Sequence, residues 1–162
     1  MPNTVTREAL LGDIRSALTG GANPDAALEA ALGKILEAFQ CPVGTIHSLD
    51  AASGLLLIRA RRGIPDIILD KVKAIPVGKG MAGIAAERKQ PVQVCNLQTD
   101  SSGVAKPGAK ETRMEGSITV PMLLNGELRG TLGVAKPIPY EFSEAESGLL
   151  MDAGALIASL LK

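Results

Sequence analysis

The sequence predicts an α+β domain in which helices at both ends of the chain flank a central antiparallel sheet. Apolar residues recur at helical spacing near both termini, and between them they alternate in short strands separated by turn residues. That order of blocks argues against repeated βαβ units and a parallel sheet. At 162 residues the chain is long enough for one domain with a sizeable core.

The elements follow in order. Leu10, Leu11, Ile14 and Leu18 fall on one helical face, and Gly20-Gly21 ends that pattern. Asn23-Pro24-Asp25 supplies an N-cap followed by Pro at the first helical position. Leu28, Leu32, Ile35, Leu36 and Phe39 carry a second helix to its end. The period then changes: Thr45 to Leu49 and Leu55 to Arg61 read as a hairpin around the turn Asp50 to Gly54. Pro65 to Val72 reads as a short helix with Ile67, Ile68 and Val72 facing inward.

Further on, Met81 to Arg88 reads as a helix and Pro91 to Leu97 as a strand, with Cys95 expected to be a buried thiol on it. Gln98 to Gly116 is polar and rich in Gly, Ser and Pro, as expected of a surface excursion or a lid. Asn125-Gly126 favours a type I′ turn between strands Ser117 to Leu124 and Leu128 to Ala135. Ser143 and Glu146 form a capping box ahead of a last helix carrying Leu149, Leu150, Ala153, Leu156, Ile157, Leu160 and Leu161.

Composition excludes several function classes. Lys+Arg and Asp+Glu are equal at 17, so no net field draws the chain to nucleic acid or an anionic membrane. Three aromatic residues, one Tyr and two Phe, are too few for base-stacking platforms. No apolar run approaches the roughly 18 residues of a membrane span, and the amino terminus lacks the uninterrupted apolar stretch of a secretory signal. Cys41 and Cys95 are too few for a disulfide framework, which points to a reducing cytoplasm. A single histidine, His47, leaves no pair of imidazoles for a zinc site, so no metal is expected. The chain offers no GxSxG elbow and no complete catalytic set.

Gly78, Gly80 and Gly83 match the form G-x-G-x-x-G. A dinucleotide site needs a buried strand just before the motif and a parallel strand after it. Here Pro76 interrupts the preceding segment and the next strand begins only eight residues beyond Gly83, so the dinucleotide context is not met, while a nucleotide phosphate at the helix start stays open beside a purely architectural turn.

Taken together, "RARRGIP", "IPVGKGMAGIAAERKQPVQVCNL", "ITVPMLLNGELRGTLGV" and "FSEAESGLLMDAGALIASLL", in this order, resemble the GAF domain, a small-molecule-binding regulatory module related to the PAS fold. The resemblance covers most of the chain from Asp25 onward. It implies a GAF-like domain over residues 23–162, preceded by a helical extension over residues 1–22 that serves dimerisation or signalling, with the terminal helices packed together. It implies a homodimeric sensor in which an unidentified ligand rearranges the dimer and any signal passes to a separate partner. The cofactor is left open. The cavity walls are expected at Met81, Ile84, Cys95, Met114, Ser117 and Thr119, with Arg113 closing from the loop over an anionic ligand.

The same family includes enzymes that reduce free methionine sulfoxide through several cysteines, and an enzyme using Cys95 is therefore the alternative. Against it, Ala82 stands where that subset places a cysteine after the glycine-rich turn, and no cysteine follows Asn96. A purely structural interaction module is a further alternative. Haem, bilin and cyclic-nucleotide readings lack their enclosing aromatics, attachment cysteine and Asn-Lys-x-Phe-Asp motif, respectively.

Overall fold

A computed structural model of the chain describes residues 7–20, 23–99 and 113–161. Its elements in order are α1 (Arg7–Gly20), α2 (Pro24–Phe39), β1 (Val43–Asp50), β2 (Leu55–Arg62), α3 (Asp66–Val72) and β3 (Ala74–Pro76). They are followed by α4 (Gly80–Arg88), β4 (Val92–Val94), β5 (Gly116–Leu124), β6 (Glu127–Lys136) and α5 (Glu144–Ala158).

The local signals act as their chemistry requires. Asn23 Oδ1 accepts the Ala26 N–H at 2.8 Å and starts α2. Ser143 and Glu146 close a reciprocal capping box at the start of α5. Asn125 and Gly126 both take positive φ, 55° and 81°, which lets β5 and β6 pair without splaying.

The six strands form one antiparallel sheet in the order β3-β2-β1-β6-β5-β4. Strand alternation gives it two different faces. Ile46, Ile118, Val120, Met122, Leu132 and Val134 point to one face, where α2 and α5 cover them and α1 packs on both helices. Leu10 and Ile14 of α1 are 1% and 0% exposed within this core, so the leading helix contributes directly to the main hydrophobic cluster. The half-buried Leu149, Met151, Leu156 and Leu160 line the margin of the same cluster.

The other face carries Val43, Thr45 and His47 on β1, Gly133 and Ala135 on β6, and Ser117 and Thr119 on β5. A bulge between Ile46 and His47 leaves Arg59 without a partner on β1, and it shifts the rest of β2 by one face. Leu56 and Ile58 thereby join His47 on this second side. A smaller cluster of Met81, Ala85, Val92, Val94 and Leu97 holds α4 over the far end of the sheet.

Several expectations are corrected. Ile67 is 83% exposed, and Ile68 alone of its helix is fully buried. The inward positions of α3 are Ile68 and, four residues on, the half-buried Val72, which lines the cavity described below. Cys95 is exposed because strand β4 ends at Val94 and the chain turns away there. The segment Ala74–Pro76 ahead of the glycine motif, interrupted in sequence by Pro76, is an edge strand on β2. Most of the expected lid, residues 100–112, lies outside the described residues.

Candidate functional site

The second sheet face is the floor of a cavity of about 740 Å³. Thr45, His47, Ser117, Thr119, Gly133 and Ala135 form the floor, while Val72, Ala74, Ile75, Pro76, Met81 and Ala82 form the wall. The lining is predominantly apolar with a few polar groups, the usual make-up of a small-molecule site.

The glycine turn sets the wall. Gly78 and Gly80 have φ of 95° and 68°, a region costly for any side chain. A Cβ on Gly83 would collide with the Pro76 carbonyl oxygen, so this glycine allows α4 to pack against β3. The G-x-G-x-x-G spacing is thus explained by the path of the backbone.

His47 ties floor to wall. It is 2% exposed, and its Nε2 lies 2.7 Å from the carbonyl oxygen of Val72 at the end of α3. A carbonyl only accepts, so Nε2 carries the proton and Nδ1 of the neutral ring is an acceptor. That Nδ1 is buried without a hydrogen-bond partner among the described residues, as is the hydroxyl of Thr131, its register partner on β6. Burial lowers the His47 pKa below its ordinary value, with the bond to Val72 acting in the opposite direction.

Gly133 lies between two hydroxyls. It pairs with Thr45 on one side and Thr119 on the other, and a Cβ there would sit 3.1 Å from Thr119 Oγ1 and 3.5 Å from Thr45 Oγ1. Thr119 is 7% exposed, and its hydroxyl bonds to no described residue. Ser117 is already engaged, its Oγ donating to the Val134 carbonyl at 3.4 Å.

Of the residues expected at the site, the structure brings Met81, Ser117 and Thr119 together on the cavity. Ile84 and Met114 pack against the smaller hydrophobic cluster. Cys95 and Arg113 are exposed and do not line the cavity. The cavity also holds Thr45, His47, Lys71, Lys79 and Gly133, which no motif in the sequence singles out as site residues. Simple alternation from the core residue Ile46 would have found Thr45 and His47.

The described thiols lie away from the cavity. Cys41 is buried on the helix side of the sheet, and burial pushes its pKa up to about 11 against the opposing pull of Lys136. Among the described residues, no group of three His, Cys, Asp or Glu side chains is arranged to hold a metal, and no helix is long and apolar enough to cross a membrane.

Residues 21–162 match the family model of the GAF domain. The fold is similar to the GAF domain of a phosphoenolpyruvate-protein phosphotransferase from Coxiella burnetii, at TM-score 0.83 and 20% identity, covering 98% of this chain and 94% of that one. It is similar to the free methionine-R-sulfoxide reductase of Neisseria meningitidis in complex with its substrate, at TM-score 0.79 and 18% identity over 99% and 91% of the two chains. It is also similar to the A. aeolicus nlh2 GAF domain in an inactive state, at TM-score 0.74 and 20% identity over 98% and 97%. At such identities these likenesses establish the fold alone. No curated protein matches the chain.

Proposed function

Because the chain belongs to the GAF domain family, we propose that it is a regulatory module that binds a small molecule in the cavity between the sheet and the α3, β3 and α4 wall. The observation that carries this reading is the cavity itself, about 740 Å³ of largely apolar space with Thr119, Thr45 and His47 on its floor. A structural module with no ligand has no need to keep such a space open. Filling it would remove apolar surface from water at about 25 cal/mol per Å².

The route outward runs through β5. Ser117 and Thr119 face the cavity, while Ile118, Val120 and Met122 of the same strand face the helices. A Cβ on Gly154 of α5 would sit 3.0 Å from Met122 Cγ, so strand and helix are in close contact. A ligand that moves β5 therefore biases α5 and its neighbour α1. In this reading the protein is a cytoplasmic homodimer paired through those helices, and the ligand shifts the population between two dimer arrangements. A thiol-based reductase is disfavoured because neither Cys41 nor Cys95 lines the cavity.

Native mass spectrometry after incubation with a metabolite extract tests the reading. Wild type is expected to acquire a discrete, saturable mass that leaves on denaturation, and Gly133→Val, which fills the floor, is expected to lose it. Absence of any adduct on the wild type across extracts would sink the proposal.

A further inference from the structure

Among the described residues, the charged side chains on the cavity are Lys71 and Lys79, and no aspartate or glutamate lines it. Both lysines are exposed residues at its rim. Between them and the floor lies the start of α4, whose first residues Gly80, Met81 and Ala82 also line the cavity. The N-cap, Lys79, provides no side-chain acceptor, and the N–H groups of these three residues bond to no described acceptor. The helix dipole adds partial positive charge at the same point. Glu87 is the nearby acid, with its carboxylate against Gly78 behind the turn.

An independent feature on the floor also calls for a ligand. Thr119 is more than nine-tenths buried, faces the cavity and has no hydrogen-bond partner among the described residues. With Thr45 it brackets Gly133, where the missing side chain leaves room for a ligand atom between two hydroxyls. The Thr119 hydroxyl can donate to an oxyanion, so it is compatible with the negative charge that the helix start and Lys79 select.

We infer that the cavity takes a small organic anion, its carboxylate or phosphate docked between the start of α4, Lys79 and the Thr119 hydroxyl, and its apolar body against Met81, Val72 and Ile75. This rests on the reading of the cavity as a small-molecule site. On this inference inorganic phosphate alone is expected to bind poorly because it leaves the apolar wall uncovered, and the two lysines, with no acid at the rim among the described residues, are expected to disfavour cations.

The test uses the full chain and a matched pair of fluorescent probes, 8-anilinonaphthalene-1-sulfonate and its uncharged counterpart N-phenyl-1-naphthylamine. The anionic probe is expected to bind at least tenfold more tightly. The double variant Lys79→Met/Thr119→Val is expected to weaken the anion tenfold or more and leave the neutral probe within twofold, with an unchanged thermal melt. Gly133→Val, and separately Ala82→Phe at the wall, are expected to abolish both. Competition with benzoate and with phenyl phosphate then distinguishes a carboxylate from a phosphate by whichever displaces at lower concentration, while displacement by neither counts against the inference. Equal or tighter binding of the neutral probe, with both plugging variants still abolishing it, overturns the anion inference and leaves the small-molecule reading standing. Binding unaffected by either plugging variant, or no binding of either probe, overturns both.

Discussion

His47 Nε2 donates to the carbonyl oxygen of Val72 at 2.7 Å, and this bond joins a central strand to the end of α3. It holds the cavity wall over its floor. Replacing His47 with Ala leaves the Val72 carbonyl without this donor and removes a buried ring, so it is expected to destabilise the protein by about 1–3 kcal/mol in urea unfolding. His47→Gln, which retains a donor, is expected to recover part of that loss.

The burial of His47, which outweighs the opposing effect of its bond to Val72, makes stability depend on pH in a defined sense. The pKa of His47 in the folded protein lies below its ordinary value of 6.5, so the unfolded chain takes up the proton first as pH falls. The His47 contribution is therefore complete above pH 6.5 and declines below it, down to the folded-state pKa. Melting temperatures from pH 7.5 to 5 are expected to fall more steeply for wild type than for His47→Gln. Parallel curves would remove His47 as the cause.

Two glycine substitutions are expected to have opposite signs. Gly148 lies in α5 with nothing within 4 Å of an added Cβ, and Gly148→Ala is expected to stabilise by about 0.5–1 kcal/mol. Gly130 lies on β6 where a Cβ would run into the His47 backbone carbonyl. Gly130→Ala is expected to cost about 1–3 kcal/mol through forced backbone shifts. Denaturant midpoints of the two variants settle both signs.

The two cysteines are expected to separate cleanly in a thiol-labelling time course. Cys95 is exposed and should react within the mixing period, whereas Cys41 is buried with its pKa pushed up to about 11 and should react only on unfolding. Cys95→Ser is expected to leave ligand binding unchanged, because the residue does not line the cavity.

Much of this architecture was legible because it is written in local signals. Asn23, Ser143 with Glu146, and Asn125-Gly126 each determine their element through contacts within four residues of sequence, and the apolar stripe of α2 identifies the core face. The cavity was harder because its parts are far apart in the chain. Thr119, Gly133 and Thr45 become neighbours only through the order β1-β6-β5, and the lysines at the rim reach it through α3 and the glycine turn. Cys95 is exposed because it shares the parity of the exposed Gln93 and lies just past Val94, where pairing with β5 stops, although the stretch Val92 to Leu97 reads as one continuous strand. The bulge at Arg59 left no signature in the alternation, since charged residues there read as an ordinary solvent face.

Small molecules are expected to enter on the Thr119 side of the sheet and not the helix side. Methionine methyl labelling tests it directly, with 8-anilinonaphthalene-1-sulfonate as titrant. Met81 lines the cavity, and Met122 is 0% exposed on the opposite face among the helices. The Met81 methyl signal is expected to shift saturably while Met122 moves much less. A Met81 signal unmoved at saturation, or a Met122 shift of equal size, would place binding outside this cavity.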